Sequence, residues 1–253
     1  MSLIGMDIGS TGCKAVAFNE EGQVLAQAYR EYPEIYPTAG WIELRPQEVW
    51  EAVCAVLQKV SVGIVGDPPR ALSISALGEA FTPVAADGSF LYNTIVSPDA
   101  RAVKQADSLR DTPGAQRVFE ITGMPLHSSF TLPKLMWMRD ERPDIHRRTW
   151  KYLLWPDTVF YKLGLEPRLD WSLAGRTMAF DVVNHCWSEE MLAAAGLDSS
   201  LLAEPIRSGE VVGEISQAAS QVTGLPVGCL VVAGGHDQPM NALGAGIIRE
   251  RMA

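Results

Sequence analysis

The sequence of 253 residues has no excess of positive charge and no block of basic residues. Lysine and arginine number 21 against 30 aspartates and glutamates, which gives a formal net charge of −9. A protein that binds nucleic acid through its surface charge needs a basic face, so this composition argues against a nucleic-acid partner. An anionic substrate would have to be bound by a few local donors instead.

Cysteines are few, and no two of the four have the spacing of a zinc-binding pair. They are also too few for a disulfide scaffold, which favours a reducing compartment. No stretch reaches the roughly 18 consecutive apolar residues of a membrane span. The first residues lack the basic and apolar regions of a signal peptide. We therefore expect a cytoplasmic protein with no membrane partner.

Neither of the common nucleotide-binding glycine motifs, GxxxxGK[ST] and GxGxxG, occurs. A different small turn, rich in glycine and hydroxyl residues, lies between two predicted strands within the segment 6–18, MDIGSTGCKAVAF. Backbone N–H groups in such a turn can bind phosphate oxygens, to which Thr11 would add a hydroxyl and Lys14 a positive charge. Asp7 could hold a hydrated Mg²⁺ ion. The alternative is a plain hairpin with a solvated lysine.

The order of predicted elements is that of an α/β domain. Strands at 3–8, 14–18 and 24–32, separated by tight turns, predict an antiparallel meander, and the spacing over 46–60 predicts an amphipathic helix. Further strands are predicted at 71–75, 81–85, 94–96, 210–214 and 229–233. Further helices are predicted at 102–110, 115–122, 132–139, 144–150, 157–163, 189–195, 217–223 and 238–243, with loops and a short strand over 170–184. We expect a core of about 1–100 and 208–253, and a mainly helical insertion at about 101–207.

Asp237 stands between a strand that ends in two glycines and a predicted helix. A carboxylate there can accept the proton of an attacking alcohol. The alternative is that Asp237 caps the helix that follows it. We interpret His236 as an ordinary surface histidine. The alternative is that it contacts Asp237 and helps to position that carboxylate.

Glu79 follows Gly78 at the end of a predicted strand. A carboxylate in a cleft can accept hydrogen bonds from two hydroxyls of a polyol, whereas the alternative is a loop acid in solvent. Asp99 and Arg101 are predicted to form a loop salt bridge, and Asp99 is also kept as a candidate for substrate binding.

The segments 6–18, 38–53, 169–192 and 210–238, in this order, resemble the FGGY carbohydrate kinases, a branch of the actin-like/sugar kinase/Hsp70 superfamily. The resemblance implies a ribonuclease H-like (actin-like ATPase) domain, with a mixed sheet flanked by helices and a mainly helical insertion. Family members are about twice as long. The resemblance therefore implies that residues 1–253 are the N-terminal sugar-binding domain, without the C-terminal nucleotide-binding domain that would be its partner.

The resemblance further implies ATP-dependent phosphorylation of a sugar, sugar acid or polyol, with ATP and Mg²⁺ as cofactors. Asp237 would be the catalytic base. The implied ligand contacts are Gly78, Glu79, Gln238 and Asp99 for the substrate, Asp7, Gly9, Thr11 and Lys14 for the phosphates, and Asp7 for the metal. Alone, the chain would be inactive or nearly so, and a homodimer is possible. The alternative is a non-catalytic sugar-binding or regulatory module.

The particular sugar stays open. Glycerol kinases carry an Arg-Glu pair where this chain has Gly78-Glu79, and the Met-His pair that xylulokinases carry close by is also missing. The segment 127–146 is more similar to the gluconate and ketose kinase branches than to the glycerol branch.

Overall fold

A six-stranded mixed sheet forms the centre of the structure, a computed structural model that describes residues 1–249 and residue 252. The strands are β1 (Ser2–Ile8), β2 (Gly12–Asn19), β3 (Val24–Glu31), β4 (Glu43–Leu44), β5 (Pro69–Ala76), β6 (Thr82–Val84), β7 (Thr94–Ile95), β8 (Lys151–Leu153), β9 (Arg168–Asp170), β10 (Phe180–Asp181), β11 (Cys186–Trp187), β12 (Glu204–Ile206), β13 (Val211–Glu214) and β14 (Leu230–His236). The helices are α1 (Pro46–Gly63), α2 (Val103–Leu109), α3 (Ala115–Thr122), α4 (Thr131–Glu141), α5 (Pro143–Arg148), α6 (Trp155–Lys162), α7 (Trp171–Gly175), α8 (Glu189–Ala195), α9 (Gln217–Thr223) and α10 (Asp237–Gly244).

The strand order in the central sheet is β13-β14-β5-β1-β2-β3. Strands β1, β2 and β3 pair antiparallel, as the predicted meander requires. Strands β1, β5 and β14 run parallel to one another, and β13 pairs antiparallel with β14 at the edge. This mixed sheet with flanking helices confirms the predicted α/β fold class.

One face of the sheet carries the main apolar core. Along β1, the side chains of Ile4, Met6 and Ile8 are buried, whereas the alternate positions, Gly5 and Asp7 among them, are exposed. Alternation of this kind places one face of a strand against the core and the other towards solvent. Helix α1 covers the buried face, packing against β2 and β3. The polar side chains of β1 are therefore displayed on the opposite face.

The two apolar clusters of the structure do not follow the predicted boundary between core and insertion. Helix α6, which falls in the predicted insertion, packs Val159 and Phe160 into the core beneath the sheet. Conversely, Phe81 and Ile95, which fall in the predicted core, pack with helices α2 to α4 and α8 in a second cluster. The order of elements along the chain does not reveal that these residues pack in the other cluster, because their packing is set by tertiary contacts.

Two local predictions were wrong in their details. The helix predicted over 144–150 ends at Arg148, and the chain then forms β8, which pairs with β6. The loops predicted over 170–184 contain α7, a helix too short to show an apolar period. Its first turn is held by the Asp170 carboxylate, which accepts hydrogen bonds from the backbone N–H groups of Ser172 at 2.9 Å and Leu173 at 3.1 Å.

An irregularity in β14 sets the end of that strand. The register against β5 shifts between Ala233 and Gly235, so Gly234 forms a bulge. A Cβ atom built on Gly234 would lie 2.1 Å from the carbonyl oxygen of Ile74 in β5. Only glycine permits this approach of two backbones, and the bulge determines how His236 and Asp237 leave the sheet.

We predict that Gly234→Ala destabilises the protein by about 3 kcal/mol or more, because the new methyl group must push β14 away from β5. Chemical denaturation would measure the change. The matched control is Gly5→Ala on β1, where a Cβ atom meets nothing within 4 Å. We expect the control to change stability by less than about 1 kcal/mol. Equal effects of the two substitutions would contradict the importance of the bulge.

Candidate active site

Three acidic residues lie at one edge of the central sheet. Asp7 is near the end of β1, Glu79 follows β5 and Asp237 follows β14. Because these three strands are parallel neighbours, their carboxyl ends meet at the same edge, which is where α/β sheets commonly bind ligands. The negative charge of Asp237 is close enough to Asp7 to act on its pKa.

Asp7 projects from the open face of the sheet between two polar neighbours. Lys14 lies opposite it on β2 and Ser75 opposite it on β5. Partial burial raises the pKa of Asp7, a hydrogen bond from Ser75 opposes the rise, and the charge of Asp237 adds to it. A cavity of about 460 Å³ adjoins the three residues and also contacts Gly234 and Asn241. The carboxylate is therefore held in a cleft beside a second acid.

The predicted phosphate-binding turn connects β1 to β2 at the same edge. The N–H of Gly9 donates to the carbonyl oxygen of Gly12 at 2.9 Å, and the Tyr32 hydroxyl donates to that of Gly9 at 2.7 Å. The N–H of Gly9 is thus engaged within the turn, and a phosphate would need other donors. Thr11 and Lys14 are exposed there, and in the described part of the chain Lys14 forms no ion pair. Its role in phosphate binding stays a prediction.

Asp237 is the first residue of α10, and the capping position is that of His236. The side chain makes no capping hydrogen bond, so the alternative interpretation of Asp237 as a helix cap is wrong. Its Oδ1 atom is buried, 3.1 Å from His236 Nε2, and accepts no hydrogen bond of good geometry from the described residues. The side chain as a whole is 30% exposed. Asp237 is thus a partly exposed carboxylate with unused acceptor capacity at the edge of the sheet.

His236 is not the ordinary surface histidine favoured above. Its side chain is only 13% exposed, and its backbone N–H donates to Ser172 Oγ at 2.8 Å. The ring fills the space above Gly78, where a Cβ atom would lie 2.9 Å from His236 Nε2. Gly78 therefore makes room for the histidine that contacts Asp237, a role that needs no contact between Gly78 and a substrate.

Glu79 is not a loop acid in solvent, because its side chain is 4% exposed. Its backbone φ of 60° lies in the left-handed region, which costs a non-glycine residue roughly 1–2 kcal/mol. The Thr131 hydroxyl donates to the Glu79 carbonyl oxygen at 3.2 Å, and Arg176 Nε donates to Glu79 Oε1 at 2.6 Å. Such strain persists where neighbours over-determine a residue, and it is concentrated at functional sites.

Asp99 has a different role from the substrate contact considered above. Its carboxylate is fully buried and accepts hydrogen bonds from Arg101 Nε at 2.8 Å, Arg101 Nη2 at 2.7 Å and the Ile42 N–H at 2.6 Å. Arg101 also pairs with Glu43 at 2.8 Å. The predicted salt bridge is confirmed. A carboxylate enclosed in this way cannot reach a ligand in the cleft.

Gln238 follows Asp237 on α10 and is exposed. Among the described residues, no side-chain hydrogen bond to Gln238 forms, so its amide is available to a ligand. Its role as a substrate contact stays a prediction.

Sequence reasoning missed two basic residues next to this site. Lys134 on α4 is fully buried and donates to the Val96 carbonyl oxygen at 2.8 Å, near Glu79 and Asp99. Arg176, at the end of α7, pairs with Glu79. Lys134 could have been noticed as a charge within the apolar run of residues 132–138. For Arg176 the sequence carries no comparable signal, since its partner lies 97 residues away along the chain.

The chain matches the model of the FGGY family of carbohydrate kinases, N-terminal domain, over residues 2–244. It belongs to this family. The xylulose kinase of Staphylococcus xylosus is 26% identical over 98% of this chain and 52% of its own length. The glycerol kinase of Janthinobacterium sp. (strain Marseille) is 31% identical over 99% of this chain and 51% of its own length. The FGGY chain thus spans about half the length of the curated relatives it matches.

Solved structures agree on the fold. The xylulose kinase from Rhodospirillum rubrum superposes with a TM-score of 0.93 at 24% identity, over 98% of this chain and 51% of that one. The gluconate kinase from Lactobacillus acidophilus gives a TM-score of 0.90 at 21% identity, over 97% and 50%. The expected actin-like kinase fold is thereby confirmed. None of the described helices is long and apolar enough to cross a membrane.

We predict a pH-dependent stability that originates at Lys134. Burial lowers the pKa of this side chain from 10.5 to about 7. Between these pH values the unfolded chain holds a proton that the folded chain has lost, so stability should rise with pH, by up to about 1.4 kcal/mol per unit. Lys134→Met should remove the slope, and the exposed control Lys104→Met should keep it. Denaturation curves between pH 7 and pH 10 would show the difference. An unchanged slope in Lys134→Met would contradict the assignment.

Proposed function

We propose that this chain is the sugar-binding half of an ATP-dependent carbohydrate kinase, with Asp237 as its catalytic base. In the reaction, a substrate hydroxyl oxygen would bond to the γ-phosphorus of ATP while the bond to the β-phosphate oxygen breaks. The hydroxyl proton would pass to Asp237, and ADP would leave. The observation that carries this proposal is the partly exposed Asp237 carboxylate, which has unused acceptor capacity and is close enough to Asp7 for its charge to raise the pKa of that residue.

The chemistry of the cleft fits a magnesium ion. Asp7 and Asp237 carry like charges whose repulsion contributes to the raised pKa of Asp7, and a divalent cation would relieve that repulsion. The described residues contain no group of three or more metal-binding side chains, which fits a hydrated ion held by one or two carboxylates. Kinases of this family use ATP and Mg²⁺. When bound, the ion would neutralise charge on the phosphates, and Lys14 and Thr11 would lie beside them.

The substrate class follows from the relatives and from the site. The names of the relatives include xylulose kinase and glycerol kinase, and that of one solved structure gluconate kinase. We infer a small sugar, sugar acid or polyol, bound near Glu79 and Gln238. The nucleotide would be bound largely by a C-terminal domain that relatives carry in their other half. The four free cysteines fit the expected cytoplasmic location.

We predict that the 253-residue chain binds a sugar or polyol without a second domain. A thermal-shift panel of ketoses, polyols and sugar acids would test this, because a ligand at 100 times its Kd stabilises the folded state by about 2.7 kcal/mol. A shift with a subset of compounds would support the proposal and name the class. No shift with any compound would contradict a complete sugar site on this chain.

Asp237→Ala separates the kinase from the alternative of a non-catalytic module. In a full-length protein that contains this chain, the substitution should lower phosphorylation roughly 100-fold or more, because the base is lost. Sugar binding should change little, since the reacting hydroxyl forms only part of the contact. The exposed acid Asp111, changed to Ala, is the control. Equal phosphorylation by the Asp237→Ala variant and the parent would contradict the assignment of the base.

A further inference from the structure

Arg176 is the part of the Glu79 ion pair that a ligand would meet. Its side chain is 31% exposed, whereas that of Glu79 is 4% exposed. The contact is made by Arg176 Nε, which donates to Glu79 Oε1 at 2.6 Å, and by Nη2, which pairs with the same oxygen. A molecule entering from solvent therefore approaches the guanidinium first, and the carboxylate lies behind it.

Some N–H groups of the Arg176 guanidinium donate to no strong hydrogen-bond acceptor among the described residues. Arginine has five N–H donors and no acceptor. The remaining amino group of Arg176, Nη1, has a single hydrogen-bond contact among the described residues, the thioether sulfur of Met124 at 3.4 Å. Thioether sulfur is a weak acceptor. The guanidinium carbon of Arg176 lies over the Phe130 ring, 5.0 Å from its centroid, a cation–π contact that helps to hold the group in place.

The stem of Arg176 also lies next to His236, the residue that contacts the proposed base. A Cβ atom built on Gly78 would lie 3.4 Å from Arg176 Cγ and 2.9 Å from His236 Nε2. The ring of His236 in turn is 3.1 Å from Asp237 Oδ1. The His236 ring, which fills the space above Gly78, thus lies between the stem of Arg176 and the Asp237 carboxylate, and a substrate whose hydroxyl reaches Asp237 would extend past this ring towards Arg176.

We propose that Arg176 is a specificity-determining residue whose Nη1 group donates to an acceptor oxygen of the substrate. This inference rests on the proposed function. Glu79 neutralises the guanidinium, and the carboxylate of Asp237 contacts the histidine beside it, so the site favours a neutral acceptor over a carboxylate. A carbonyl oxygen accepts without needing a donor partner, and a hydroxyl group brings a donor that Arg176 cannot satisfy. The site should therefore prefer an open-chain ketose to the corresponding polyol.

The test is a comparison of ketose and polyol pairs on the 253-residue chain by isothermal titration calorimetry, with xylulose against xylitol and ribulose against ribitol. The parent chain should bind the ketose of a pair more tightly. Arg176→Met should weaken ketose binding roughly 10- to 100-fold, the value of a hydrogen bond from a charged donor, and bring the two affinities together. The exposed control Arg147→Met should leave both affinities unchanged.

Removing Arg176 alone leaves the Glu79 carboxylate buried without a counter-ion, and this can unfold the loop. The double variant Arg176→Met with Glu79→Gln keeps the shape and removes the buried charge, so it carries the test if the single variant does not fold. Arg176→Lys keeps a cation but loses the planar arrangement of guanidinium donors. It should therefore retain part of the ketose preference that Arg176→Met loses.

The outcomes distinguish the inference from the function on which it rests. Loss of the ketose preference in the folded variants supports the role of Arg176. Equal weakening of both ligands with an unchanged preference would show a merely structural role and overturn the inference, while leaving the sugar site in place. If the parent chain binds none of the four probes, the sugar site proposed for this chain is overturned, and the role of Arg176 with it.

Discussion

The parallel pairing of β14 with β5 is the contact on which the arrangement of the cleft depends. Without the bulge at Gly234, which brings two backbones to a separation that no side chain permits, His236 and Asp237 would leave the sheet in another direction. Because β1 pairs with the other side of β5, the same contact decides how far Asp237 lies from Asp7. The charge relation between these two acids is thus a consequence of backbone geometry in the sheet rather than of any contact between their side chains.

The buried ion pairs next to the site hold side chains in place more than they stabilise the fold. Glu79, Asp99 and Glu43 are buried, their cationic partners are Arg176 and Arg101, and Lys134 lies near Glu79 and Asp99 with its pKa lowered by burial. Desolvation makes such pairs weak sources of stability, although removing one member is costly. Their value lies in fixing geometry, and here they hold the Glu79 loop, whose strained backbone would otherwise relax. Helix α4 contributes to this through Thr131, one turn before Lys134.

The sequence allowed the meander and helix α1 to be predicted, because alternation and helical spacing report which face of an element is buried, whereas Asp7 and Asp237 were assigned to one site only by the family resemblance. The same patterns do not report which distant element covers that face. Arg176 was missed because its pairing with Glu79 is set by the tertiary fold. Asp99 was misjudged because the sequence around a loop carboxylate is the same whether that carboxylate contacts a ligand or an arginine. His236 was misjudged for a related reason, since the space above Gly78 is visible only in three dimensions.

The distribution of charge at the edge of the sheet separates two tasks of the proposed kinase. Around Glu79, the acid already has its cation, and a neutral polyhydroxyl compound needs only donors and acceptors that this chain displays. Around Asp7 and Asp237, two acids are accompanied by one lysine, Lys14. Nucleotide phosphates would therefore be repelled there unless a divalent cation and further hydrogen-bond donors were also present. The N–H of Gly9 adds no donor there, because it is already engaged within the turn. In the proposed kinase, sugar binding is the task for which this chain is most nearly complete, and phosphate binding would depend on the half that its relatives carry in addition.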